Sequence, residues 1–140
     1  MNTSVQFAEL KHLAWLVQND HHIGSDIMEK KILSKQILVI TLNKEVVGWL
    51  RFSLFWDMIP FINLLFVNKE YRQINLGKKL VQSWEEQMKK EAYKMVMTSS
   101  QANENAQHFF RKYGYKDAGS LLLPNEPMEI IFIKNLVSEE

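Results

Sequence analysis

The sequence predicts an α/β fold, a mixed and mostly antiparallel central sheet with helices on both faces. Three observations point there. Segments with apolar residues at helical spacing alternate with short β-rich runs. Two of the β-rich runs are parted only by the polar pair Asn43-Lys44, as in a hairpin. Antiparallel pairs flank a βαβα middle, which packs most simply as one sheet between helical layers. The expected order is ααβββαβαββ.

Each element has its own reason. In "QFAELKHLAWLVQ" (6–18), Phe7, Leu10, Leu13, Ala14 and Val17 recur at helical spacing, so a first helix is expected. "GSDIMEKKILSK" (24–35) offers Ser25 or Asp26 as an N-cap before Ile27, Met28, Ile32 and Leu33. Residues 37–41 and 46–55 are the two strands of the hairpin, and "WDMIP" (56–60) breaks the second. "FINLLFV" (61–67) is a continuous apolar run, as expected of a strand buried on both faces. Over 76–92, Leu76, Leu80, Val81, Trp84 and Met88 share one helical face, and Lys78, Lys79, Gln82, Glu85, Glu86, Lys89 and Lys90 fill the other. "YKMVMTSS" (93–100) reads as a buried strand. "NENAQHFFRKYGY" (103–115) reads as a helix with Ala106, Phe109, Phe110 and Tyr113 inward and Gly114 as its stop. "YKDAGSLLL" (115–123) and "PMEIIFIKNL" (127–136) are two closing strands.

Bulk properties narrow the function classes. A chain of 140 residues with no repeat or linker is expected to be a single domain over 1–140. Net charge is +1 and the short basic clusters sit beside acids, so nucleic acid is not an expected partner. There are no cysteines, which excludes disulfides, thiolate metal sites and a cysteine nucleophile. His21-His22 lacks a third ligand nearby, and no metal is expected. No basic stretch precedes an apolar core at the N-terminus, and no apolar run nears the ~20 residues of a membrane span. A cytoplasmic protein without membrane contact is the expectation.

"YRQINLGKKL" (71–80) follows the apolar run directly and is the most suggestive stretch. The first N–H groups of a helix have no intrahelical partner and lie at the positive end of its dipole, so a phosphate or pyrophosphate fits there. Gly77 lets a ligand approach the backbone, Asn75 suits a left-handed conformation, and Arg72 supplies a bidentate cation. An ordinary strand-to-helix turn has the same outline. Neither the Walker P-loop nor the dinucleotide glycine pattern is present.

Three segments taken together resemble the GCN5-related N-acetyltransferases (GNAT). "LFVNKEYRQINLGKKLV" is similar to the family's acyl-CoA motif, a strand followed by [RQ]-x-x-G-x-[GA] and a helix. Arg72, Gln73, Ile74, Asn75, Leu76 and Gly77 take its places. "NENAQHFFRKYGY" resembles the family's N-x-x-A-x-x-F-Y-x-x-x-G-F helix through Asn103, Ala106, Phe109, Gly114 and Tyr115. "VITLNKEVVGWLRF" and "EIIFIKNL" resemble its early hairpin and closing strand, so the likeness covers roughly residues 36–136. The resemblance implies a GNAT-like mixed sheet and acetyl transfer from acetyl-CoA to an amine of a small molecule or protein. It implies that Leu65, Phe66 and Val67 pair with the pantetheine arm. Residues 72–77, with Lys78, would hold the pyrophosphate, and Asn103 and Phe110 would also contact the cofactor.

The sequence departs from the family in three ways. The motif's first glycine is Asn75. The tyrosine that often protonates the leaving thiolate is Phe110, which has no hydroxyl. Only "MNTSV" precedes the first helix, so the family's first strand is expected to be short or missing. Tyr113, one helical step from Phe110, reads either as a core side chain or as a substitute acid. Asp57, Glu129 and Glu126 are candidate bases, each also readable as a solvated carboxylate. Trp49, Arg51 and Trp56 either line an acceptor pocket or are ordinary strand side chains. The alternative reading is a catalytically impaired CoA-binding module, motivated by Phe110. A scaffold with no cofactor is weaker still. The edge strands near the C-terminus suit a homodimer.

Overall fold

The computed structural model describes residues 2–137, the side chain of Gln73 excepted. The element order is β1 (Thr3–Phe7), α1 (Leu13–Asn19), α2 (Ser25–Leu33), β2 (Ile37–Leu42), β3 (Glu45–Phe55), β4 (Ile59–Val67), α3 (Leu76–Lys90), β5 (Met95–Gln101), α4 (Ala106–Lys112), β6 (Lys116–Leu121) and β7 (Glu129–Asn135). The seven strands run in the order β1-β2-β3-β4-β5-β7-β6, with helices flanking the sheet. The register of β4 with β5 is parallel, at Phe61↔Met97 and Ile62↔Thr98. The pairs β1–β2, β2–β3, β5–β7 and β6–β7 are antiparallel. Among the described residues no helix is long and apolar enough to cross a membrane.

The first strand is present and short. Thr3, Val5 and Phe7 alternate with Ser4 and Gln6, and Val5 pairs with Ile40 and Phe7 with Leu38. This corrects the expectation of a helix from residue 6. A period-2 signal ends at Phe7, and a 3₁₀ turn over Leu10–His12 leads into α1. Helix α2 is preceded by Gly24 at the N-cap position, with Ser25 and Asp26 inside the helix. Its buried face is Met28 and Ile32, at i and i+4, while Ile27 and Leu33 are exposed at 50% and 64%.

The chain divides into two compact units. The first holds the residues up to Phe52 together with Leu64–Trp84. Its core joins Leu16, Met28 and Ile32 to Ile37, Val39 and Trp49. Trp49 meets Trp15 edge-on at 5.4 Å and Phe66 at 5.0 Å. Phe52 points from the opposite side of β3 and meets Trp84 of α3 at 5.6 Å. The expected inner face of α3 is borne out, since Leu76, Leu80, Val81, Trp84 and Met88 are all buried.

The second unit holds Ser53–Asn63 and the residues from Glu85 on. Phe110 packs on Phe109, Tyr115 and Phe132, with ring centroids 5.3, 5.3 and 6.3 Å away. Gly114 takes φ +95°, which ends α4 as expected. Ala106, expected inward, is exposed. Residue Glu85, expected on the solvent face of α3, is 7% exposed. It accepts from Tyr115 Oη at 2.7 Å and from Lys134 Nζ at 2.8 Å. Burial pushes the Tyr115 phenol far up, and the neighbouring Glu85 carboxylate adds to the shift.

Candidate functional site

The junction after β4 is built from three local devices. Gly48 on β3 lets the end of β4 come close, because a Cβ there would sit 2.6 Å from the Phe66 carbonyl oxygen. Asn68 N–H then donates to the Val47 carbonyl at 2.7 Å and ties down the exit of the strand. A 3₁₀ turn over Lys69–Ile74 follows, and Asn75 takes φ 62°, ψ 24°, the left-handed conformation expected of it. Leu76 is 3% exposed and anchors the start of α3. The expectation that 61–67 is buried on both faces is corrected: Asn63 is exposed and Leu64, Leu65 and Phe66 are half-buried.

Arg72 lies back over the end of β4. Its Nε donates to the Val67 carbonyl at 2.8 Å, and its guanidinium carbon is 5.1 Å from the Phe66 ring centroid. The cation is thereby held against Phe66 and Val67, two of the three residues expected to meet the pantetheine arm. Gly77 and Lys78 are half-buried in the first turn of α3, and Ile74 is exposed. Lys79 is tied to β1, its Nζ bonding the Thr3 hydroxyl. Gln73 belongs to the 3₁₀ turn, and its side chain lies outside the described residues. Arg72 and Lys78 give this segment a donor set that fits a pyrophosphate.

Most of the remaining expected residues lie in the second unit. Asn103 is exposed in the turn after β5. Phe110 is 3% exposed. Tyr113 is half-buried at the end of α4, its ring 4.9 Å from Phe109. Asp57 sits exposed at the tip of the β3–β4 turn, where Trp56 and Asp57 take φ 56° and 60°. Trp56 is 72% exposed. Glu129 is half-buried at the start of β7, and Glu126 accepts a long contact from Gln101 Nε2 at 3.4 Å. His21 and His22 are exposed, and among the described residues no cluster of three His, Cys, Asp or Glu could hold a metal.

Trp49 and Arg51 do not line an open acceptor pocket. Both are buried and both bond the same carboxylate oxygen: Trp49 Nε1 donates to Asp20 Oδ2 at 3.2 Å and Arg51 Nε at 3.0 Å. The other oxygen of Asp20 accepts the His22 N–H at 3.0 Å. Burial pushes the Asp20 carboxyl up, but the His22 N–H, Arg51 and Trp49 outweigh it and hold the group below its usual range. This buried acid pins the segment after α1 to β3, and nothing in the local pattern around Asp20 announces it.

The family model described as acetyltransferase (GNAT) family matches residues 6–115. The fold is similar to Ard1 from Thermoplasma volcanium, with TM-score 0.83 at 14% identity, covering 97% of this chain and 99% of that one. It is similar to the ribosomal-protein-S18-alanine N-acetyltransferase from Escherichia coli, with TM-score 0.77 at 12% identity over 99% and 97% of the two chains. A putative streptothricin acetyltransferase from Bacillus anthracis, in complex with acetyl coenzyme A, matches with TM-score 0.65 at 23% identity over 71% of this chain and 61% of that one. No curated protein matches the sequence.

Proposed function

Because the chain belongs to the acetyltransferase (GNAT) family, we propose that it is an acyl-CoA-dependent N-acyltransferase, moving an acetyl group from acetyl-CoA to an amine. The observation that carries this reading is the basic junction after β4, with Arg72 held over the strand end and Asn75 left-handed before a long helix. The Bacillus anthracis relative bound to acetyl coenzyme A supports the choice of cosubstrate. The Escherichia coli relative, which acetylates an alanine of a ribosomal protein, supports keeping protein amines among the acceptors beside small molecules.

In this reading the backbone at Leu65, Phe66 and Val67 pairs with the pantetheine arm. The NH₂ fork of Arg72, the backbone over 73–77 and Lys78 take the pyrophosphate. Asn103 adds a polar contact, and Phe110 contributes shape from within its aromatic cluster. The acceptor nitrogen attacks the thioester carbonyl carbon, the carbon–sulfur bond breaks, and sulfur leaves as thiolate. The proton lost by nitrogen goes to Asp57, Glu129 or water. Tyr113 is the candidate proton donor to sulfur, although a thiol of pKa about 8.5 leaves tolerably without one. Most of the acceleration then comes from holding two reactants together. The protein acts as a single domain over 1–140, in the cytoplasm, as a monomer or homodimer.

The test is thiol release from acetyl-CoA with a panel of amines, including peptides with free N-termini. Transfer above the uncatalysed rate supports the reading. A second reading, a CoA-binding module without catalysis, rests on Phe110 and its closed surroundings. Saturable CoA binding with no transfer to any amine would establish it. Phe110→Tyr is expected to lose about 1–3 kcal/mol of stability, measured by thermal unfolding, because the new hydroxyl is buried among rings. Its kcat is expected not to rise. A raised kcat would return the acid role to this position.

A further inference from the structure

A polar cavity lies on the face of the β1–β2–β3 strands that packs against α1. Its volume is about 530 Å³, and Ser4, Gln6, Thr41, Lys11, His12 and Lys44 are among the residues lining it. The strand residues converge there by register: Ser4 pairs with Thr41, and Gln6 follows two residues along on the same face. Among the described residues no carboxylate lines it; the Glu9 carboxylate accepts from one lining residue, Gln6 Nε2, at 3.3 Å and pairs with another, Lys11, at 3.2 Å.

His12 is the unusual member. It is 9% exposed. The Glu9 N–H donates to its Nδ1 at 2.9 Å, which leaves Nδ1 unprotonated and puts the ring proton on Nε2. Protonating the second nitrogen would break that bond. Burial and the neighbouring Lys11 charge hold the imidazole below its usual range, against a smaller opposing pull from Glu9. Among the described residues the Nε2–H has no protein acceptor, and the cavity is what the ring borders. Lys11 shares its charge with Glu9 at 3.2 Å. Lys44, on the β2–β3 turn with φ 74°, makes no ion pair among the described residues.

We propose that this cavity binds a small polar molecule through an oxyanion, a carboxylate or a phosphate, gripped between the His12 Nε2–H and the Lys44 ammonium. Ser4, Thr41 and Gln6 offer hydrogen bonds to the rest of the molecule. The volume falls in the ~300–1,000 Å³ range of small-molecule sites and leaves room for more than a bare ion. None of the lining residues belongs to the junction after β4, and the site stands whether or not the protein transfers acetyl groups.

The test is a nuclear magnetic resonance titration of the full ¹⁵N-labelled chain, without CoA, with inorganic phosphate in one arm and acetate in the other. The expected result is a saturable shift of the His12 ring nitrogens together with the Ser4, Thr41 and Lys44 amides. The arm that saturates at lower concentration names the oxyanion. Lys44→Gly removes the cation while giving the turn the Asn-Gly pair it favours, so stability should hold or rise. Affinity should fall about tenfold or more, as for loss of a charged partner. His12→Gln should weaken binding as well. No saturable shift at His12 in either arm would overturn the proposal. So would binding unchanged in Lys44→Gly, or shifts confined to residues 72–78, which would report the junction instead.

Discussion

Two strand-to-helix junctions hold equivalent places in the chain, one after β4 and one after β5, the two strands paired in parallel. They are built in opposite ways. After β4 come a 3₁₀ turn, a left-handed Asn75 and a 15-residue helix. Lys69, Arg72, Lys78 and Lys79 there outnumber Glu70. After β5 the turn leads into a seven-residue helix, and its charged residue is Glu104. Side chains of that turn and of the following helix bond its backbone. Gln101 N–H donates to Glu104 Oε1 at 3.1 Å, and Gln107 Nε2 donates to the Ala102 and Glu104 carbonyls at 2.8 Å each. A place in a βαβα run therefore does not make an anion site. Turn conformation and charge do, and both favour the first junction.

The contrast can be broken by mutation. Arg72→Glu should cost the most, about a hundredfold in acetyl-CoA affinity by calorimetry, the scale of losing a charge-assisted contact. The helix content by circular dichroism should not change. Gly48→Ala attacks the same junction from behind, since its Cβ meets a backbone carbonyl oxygen at 2.6 Å. A stability loss of about 1–3 kcal/mol in denaturant titrations is expected, with weaker acetyl-CoA binding. Asn75→Val should cost about 1–2 kcal/mol, the penalty of a left-handed L-residue, while Asn75→Gly should cost nothing. Asn103→Ala tests the second junction and should weaken acetyl-CoA binding only about three- to tenfold, a single neutral hydrogen bond. A larger loss from Asn103→Ala than from Arg72→Glu would reverse the comparison.

Much of the first junction was legible because its signals are local. Asn75 announced its backbone conformation by residue type, and the buried face of α3 by its period. The Asn43-Lys44 turn was legible for the same reason, with φ 51° and 74°. The first helix was expected too early because Phe7 satisfies two periods at once, ending an alternating run and opening a helical one. The two buried acids were missed for a different reason. Asp20 finds Arg51 31 residues away, and Glu85 finds Tyr115 and Lys134 at 30 and 49 residues. A polar residue whose partners arrive only on folding looks, in sequence, like a solvated one. The candidate bases Asp57 and Glu129 share that difficulty, since no local pattern separates a proton acceptor from a surface carboxylate.

The most direct test of the account is a calorimetric titration of acetyl-CoA into the wild-type protein and Arg72→Ala, with free CoA and ATP as controls. Saturable binding of acetyl-CoA and CoA to the wild type is expected, markedly weaker in Arg72→Ala, with little binding of ATP. No saturable acetyl-CoA binding, or equal binding by Arg72→Ala, would contradict the placement of the cosubstrate on this junction.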